Sequence, residues 1–285
     1  KELNSVARLF EHERSGARLY ALQNDDDNKV FSISFRTPPT DSTGLPHILE
    51  HSVLCGSRKF PTKEPFVELA KGSLNTFLNA MTYPDKTMYP VSSRNEKDFH
   101  NLMDVYLDAV FYPRIYEKPE ILMQEGWHYE LNKPEDPITY RGVVYNEMKG
   151  AFSSPEQVLM RKIQESLFPD TPYGVESGGD PEVIPTLTQE QFVAFHRKYY
   201  HPSNCYIYLY GDMDLDDRLK FIDHEYLRHY ERAEIASEIP LQKPFAQPRE
   251  VVVEYPIAAN EKESDKTFLS LNFCVGSSLE PELCL

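Results

Sequence analysis

Two histidines four residues apart, with a glutamate beside the second, form the first group in this chain whose types and spacing suit a reaction: His47-Ile48-Leu49-Glu50-His51. On a helix, residues i and i+4 share a face, so His47 and His51 can aim two imidazoles at one point while Glu50 hangs beside them. Zinc suits such a pair. With two His and one carboxylate as ligands, a fourth position stays open for a water whose pKa the metal lowers, and a neighbouring free carboxylate can take its proton. Glu50 is placed to be that base. His-x-x-Glu-His is the inverted form of the His-Glu-x-x-His pattern of zinc hydrolases. A solvated helix face can carry the same five letters, so the pattern needs a third ligand before it becomes a site.

The stretch RGVVYNEMKGAF (141–152) offers one. Val143, Val144, Met148 and Ala151 read as the apolar stripe of a helix, and Glu147 lies on that stripe, where a carboxylate is expected to be buried. Burial is costly for a carboxylate unless a cation or a metal accompanies it. Glu147 is therefore the candidate third ligand, an Arg- or Lys-paired glutamate being the alternative. Glu117 and Glu120 fall in a Pro-containing loop, and Glu125 and Glu130 in a segment changing from helix to strand, where solvated carboxylates are the norm. His128, His196, His201, His224 and His229 lack a partner at metal spacing and read as structural or surface residues.

These residues need elements to hold them. Pro46 suits a first helical turn, Ser42 and Thr43 offer capping oxygens and Gly56 a stop, which predicts a short helix from His47 to Leu54. Segments 16–24 and 29–37 flank a polar Asp-Asp-Asp-Asn turn and predict a hairpin. Residues 73–91 predict a strand pair, 127–132 a further strand and 203–212 another. Helices are expected over 64–72, 96–112, on both sides of Ser153-Ser154-Pro155 within 141–168, over 186–200 and over 215–231. Prolines at 240, 244 and 248 mark a linker over 237–250, and two strands follow, VVVEYPIA and KTFLSLNFCV. Two strands do not make a domain. The expected organisation is a catalytic domain over 1–236, a linker over 237–250, and the start of a second α+β domain over 251–285.

Composition narrows the partners. Thirty basic against 45 acidic residues leave a formal charge of −15, which excludes a phosphate-attracting nucleic-acid surface or an anionic-membrane surface. No run reaches 18 apolar residues, so no membrane insertion is expected. Cys55, Cys205, Cys274 and Cys284 are scattered without metal spacing and read as reduced thiols of a reducing compartment. The chain starts at Lys1 rather than Met, which leaves room for a removed targeting segment.

Blocks around these residues resemble the pitrilysin/insulysin family of inverzincin metallopeptidases, in its presequence protease branch: FRTPPTDSTGLPHILEHSVLCGSRKFP, GSLNTFLNAMTYPDKTMYP, QEGWHYE, GVVYNEMKGAFS, GVESGGDPEVIPTLT and HRKYYHPSN. The likeness runs from about residue 10 to residue 212. It implies an α+β fold, a mostly antiparallel sheet packed with helices, as in the mitochondrial processing peptidase/LuxS-like metallohydrolases. It also implies Zn2+ bound by His47, His51 and Glu147, with Glu50 as catalytic general base. Unfolded peptides, presequences among them, would add as a strand to a sheet edge beside the zinc. The block Leu74–Thr82 matches that edge, with Asn79 and Ala80 nearest the metal as substrate-binding residues.

The resemblance further implies a C-terminal half that closes over the site and supplies an Arg and a Tyr to the scissile carbonyl, so that this chain holds a complete zinc site and an incomplete catalyst. The compartment it implies is the mitochondrial matrix or plastid stroma, with a bacterial origin as the alternative. A non-catalytic peptide-binding or assembly paralogue of the same fold is the alternative from another class. A small-molecule zinc hydrolase is a third reading, disfavoured by the peptide-holding block.

Overall fold

A computed structural model describes residues 4–62, 65–277 and 279–280. The strands are β1 (Val6–Glu11), β2 (Arg18–Gln23), β3 (Lys29–Arg36), β4 (Asn75–Leu78), β5 (Met81–Thr82), β6 (Lys86–Ser93), β7 (His128–Glu130), β8 (Thr139–Arg141) and β9 (Cys205–Gly211). The helices are α1 (Leu45–Val53), α2 (Pro65–Gly72), α3 (Glu96–Phe111), α4 (Glu120–Glu125), α5 (Val143–Ala151), α6 (Pro155–Leu167), α7 (Gln189–Tyr199) and α8 (Leu215–Glu225). The result is the expected α+β fold. One sheet runs β1-β2-β9-β3-β6-β4, with β5 also paired to β6, and only β2 and β9 are parallel.

The hairpin expected from residues 16–37 is not formed. β9 inserts between β2 and β3, pairing Leu19 with Ile207 on one side and Ile33 with Ile207 on the other. The Asp-rich turn therefore spans the width of a strand rather than closing a two-strand ladder. The physical reason is burial. β9 alternates buried Cys205, Ile207 and Leu209 with half-buried tyrosines, and its apolar side completes a continuous face with Leu19, Phe31, Ile33, Phe35, Tyr89 and Val91. A central position hides that face; an edge would not.

Helices α1 and α3 cover it. Phe99, Leu102, Met103, Tyr106 and Val110 of α3 are fully buried, as are Ile48, Leu49 and Val53 of α1. Each such side chain contributes roughly 1.5–3 kcal/mol of transfer free energy. The α3 N-cap is Asn95, whose side chain accepts from Asp98 N. α1 is capped differently from expectation: its N-cap is Gly44, at φ 70°, with no side-chain bond. Thr43 Oγ1 donates to Asp41 and Ser42 Oγ accepts from Glu176 N, and neither bonds the first turn of the helix. Pro46 takes its expected place in the first turn.

β4 and β5 lie along the same side of β6, Leu78 pairing with Val91 and Met81 with Met88. Together they form an edge strand broken at Asn79 and Ala80. The break stays attached: Asn79 N donates to Pro90 O, and Tyr106 of α3 donates its hydroxyl to Asn79 O at 3.1 Å. β7 and β8 form a separate small hairpin. Past a short 3-10 turn ending at His229, the described residues, including 251–258 and 266–275, form no strand, because no described strand pairs with them. Glu64 of the expected second helix and Cys284 lie outside the described residues. No described helix is long and apolar enough to cross a membrane.

Candidate metal centre

α1 presents His47 and His51 one turn apart, with ring centroids 5.0 Å apart, and α5 brings Glu147 across to them. Glu147 Oε2 lies 3.7 Å from His47 Nε2 and 3.8 Å from His51 Nε2. One ligand atom from each of the three falls within 4.8 Å of the others, and among the described residues this is the group of His, Cys, Asp and Glu so assembled. Atoms so placed converge on one point from two helices, as the ligands of a single ion must. Two imidazole nitrogens and a carboxylate oxygen are a donor set that fits zinc and would leave a position for water.

The second ring nitrogens decide which ones face the centre. His47 Nδ1 donates to the Gly178 carbonyl at 3.0 Å, and His51 Nδ1 is bonded to Glu125 Oε2 at 3.3 Å. Both Nε2 lone pairs are thereby turned toward Glu147, the arrangement that orients metal-ligating histidines. Burial works against charge on His51, but its bond to Glu125 and the charges of Glu50, Glu125 and Glu147 prevail and raise its pKa. Glu125 shows the counterpart. Burial favours its neutral form, while bonds from His51, Gln124 and Cys55 outweigh that and lower its pKa.

Glu50 projects beside the centre and is buried, and its Oε2 accepts a 2.7 Å bond from Thr82 Oγ1 on β5. A cleft of about 470 Å³ opens here, lined by His47, Glu50, His51 and Glu147 on one side and by Asn79, Ala80, Met81, Thr82 and Tyr83 on the other. The broken edge strand thus forms the wall opposite the histidines. Below Glu50, the hydroxyls of Tyr89 and Tyr200 bond each other at 2.8 Å, and burial pushes both phenols up and keeps them neutral.

Two sequence expectations need correction. Glu147 is not buried: its side chain is 55% exposed. The buried stripe of α5 is Val144 and Met148, whereas Glu147 shares a half-open flank with Val143, four residues back, and that flank faces the cleft. Its role rests on the convergence with His47 and His51, not on burial. Glu125 is not a solvated carboxylate. It is 7% exposed, on the same face of α4 as buried Ile121 and Leu122, and that i, i+3, i+4 pattern was the available signal. His196 is structural as expected, buried between Tyr116 and the Val110 carbonyl.

Comparison with known proteins settles the family. The model of the insulinase family, peptidase family M16, matches residues 35–176, a span holding His47, Glu50, His51 and Glu147, and the model of the M16 inactive domain matches residues 186–281. The chain belongs to peptidase family M16. Within M16 it falls in the presequence protease branch. It is 53% identical over its whole length to presequence protease 1, chloroplastic/mitochondrial, of Arabidopsis thaliana, and 45% identical over 95% of its length to the mitochondrial presequence protease of Mus musculus. It is 62% identical over 99% of its length to a Clostridium perfringens protein named Protein HypA. The chain spans 29% of that protein, 27% of the Arabidopsis one and 26% of the mouse one. The M16 fold is seen also in pitrilysin, with a TM-score of 0.64 at 19% identity over 82% of this chain and 24% of that one. A Helicobacter pylori protease gives 0.64 at 16%, over 84% of this chain and 54% of that one.

Proposed function

We propose that this chain is the zinc-holding part of a metalloendopeptidase that degrades presequences and other unstructured oligopeptides. The observation that carries this reading is the convergence of His47, His51 and Glu147 beside a buried Glu50, facing a broken sheet edge across one cleft. Held by those three residues, zinc would polarise a peptide carbonyl and acidify a water. The protein's own groups do the rest. Glu50, steadied by Thr82, accepts the proton of the attacking water and passes it to the leaving amine. Gly178 and Glu125 hold the two imidazoles in the tautomer that leaves Nε2 free.

Asn79 and Ala80 receive the substrate. An extended peptide laid along the edge of β4 and β5 would be held by its backbone, which makes side-chain selectivity loose and excludes folded proteins. The net charge of −15 favours basic peptides, the chemistry of targeting segments. Further residues of a longer polypeptide, as the length of the relatives suggests, would close the cleft and stabilise the oxyanion, a contribution of roughly 2.7–4 kcal/mol per donor. Relatives with mitochondrial and chloroplastic names stand at 45% and 53% identity and a clostridial one at 62%, so the reading covers a bacterial as well as an organellar setting.

The rival, a non-catalytic peptide-holding paralogue, would not need the base, yet Glu50 is present and oriented. Glu50→Gln in the full-length protein separates the two readings: peptide hydrolysis lost with zinc retained supports the enzyme, and unchanged turnover refutes the assigned base.

A further inference from the structure

The turn 176–180 touches the metal centre through one carbonyl, and its packing reaches both helices that carry ligands. Gly44, the α1 N-cap at φ 70°, sits so close to the turn that a Cβ there would lie 2.7 Å from Gly178 O and 2.7 Å from Gly179 Cα. Gly179, at φ 104°, returns the contact: its Cβ would come within 2.9 Å of Gly44 Cα and 2.8 Å of Ile184 Cδ1. On the other side, a Cβ on Gly178 would meet Met148 Cε at 2.9 Å, and Met148 adjoins Glu147 on α5. The turn is wedged between the start of the helix bearing both histidines and the helix bearing the glutamate.

It is also stitched in place. Asp180 N donates to Ser42 O at 2.8 Å, Glu176 N to Ser42 Oγ at 3.1 Å, and Gly178 N to Glu176 Oε1 at 3.0 Å. Asp180 pairs with Arg161 of α6 at 3.3 Å. The Gly178 carbonyl is left pointing at His47 Nδ1. Only glycine allows backbone to meet backbone at this distance with positive φ.

We propose that Ser42, Gly44, Gly178 and Gly179 form a backbone clasp whose function is to position His47 and set the separation of α1 and α5, making these residues positioning residues for the metal. The inference rests on the reading of His47, His51 and Glu147 as ligands. A graded series in the full-length protein tests it, with zinc affinity measured by chelator competition and thermal unfolding of the metal-free protein measured alongside. Gly44→Ala and Gly179→Ala force backbone apart and are expected to weaken zinc binding about 10–100-fold, as loss of a supporting partner does. Gly178→Ala presses only on the ends of flexible side chains, those of Met148 and Glu176, and should cost less than about threefold. Gly150→Ala, which has open space around it, should leave affinity unchanged. Ser42→Ala removes one stitch without a collision and should cost about three- to tenfold.

Lowered thermal stability with wild-type zinc affinity in folded Gly44→Ala and Gly179→Ala would overturn the clasp. If those two fail to fold, wild-type affinity in Ser42→Ala overturns it. Should His47→Ala also leave zinc affinity unchanged, the ligand assignment itself is what fails.

Discussion

Glu125 does not line the cleft, yet its carboxylate is the partner of His51 Nδ1 and also accepts from Gln124 Nε2 and Cys55 Sγ. Glu125→Ala is expected to weaken zinc affinity 10–100-fold by freeing the His51 ring, with a smaller effect in Glu125→Gln, whose amide oxygen can still accept. Chelator competition on the two variants measures it, and equal affinities in both and in the wild type would show that His51 needs no support. His47, Glu50 and His51 were legible in the sequence because one helix sets their geometry locally. Glu147 was legible by its place on a helix, though for a reason the structure revises: it faces an open cleft, not a core. Glu125 and the Gly178 carbonyl were hidden, since each meets its histidine only through the tertiary fold, 74 and 131 residues away in the chain.

Asp108 shows how an element is held in register with the site. It is fully buried on α3 and accepts from Arg58 Nη2 at 2.9 Å and from Lys59 N at 2.6 Å, fastening the loop that follows α1 to the helix beneath it. Removing one partner of a fully buried pair costs 3–5 kcal/mol; with Arg58 about half exposed, Asp108→Ala is expected to cost about 2–3 kcal/mol. Urea unfolding checks this, and a loss below about 0.5 kcal/mol would mean the loop is held by other contacts. Helix positions were read well, within a residue or two for α1 and α3 and within three for α7, because apolar periodicity and Pro or Thr punctuation are local. Strand partners were not. β9 arrives from the far end of the domain to separate β2 from β3, and alternation alone names a strand without naming its neighbour.

Across the whole molecule, His196 makes stability depend on pH. Its ring is buried, with Tyr116 donating to Nδ1 and Nε2–H donating to Val110 O, and burial pushes its pKa down to about 4. The unfolded chain, with an ordinary value near 6.5, takes up a proton first. Stability contributed by the neutral ring is therefore full above about pH 6.5 and falls as pH drops toward 4, by at most about 3 kcal/mol. Urea midpoints at pH 4.5 and 7 in the wild type and in His196→Asn test this: the variant should show a shallower fall, and an equal fall in both would assign the dependence elsewhere. The strands expected at 251–258 and 266–275 are where the sequence reading and the structure part, since segments with strand-like alternation stay unpaired when no partner strand is described. A linker over 237–250 leading into a second domain remains our reading of that region. The most direct test of the metallopeptidase assignment is hydrolysis of a basic, unstructured peptide by the full-length protein and its Glu50→Gln variant, with zinc content determined on the same samples. One zinc per chain in both, with turnover lowered by about 10²–10⁴ in the variant, is the predicted result. Wild-type turnover in Glu50→Gln, or hydrolysis that survives removal of zinc, would contradict it.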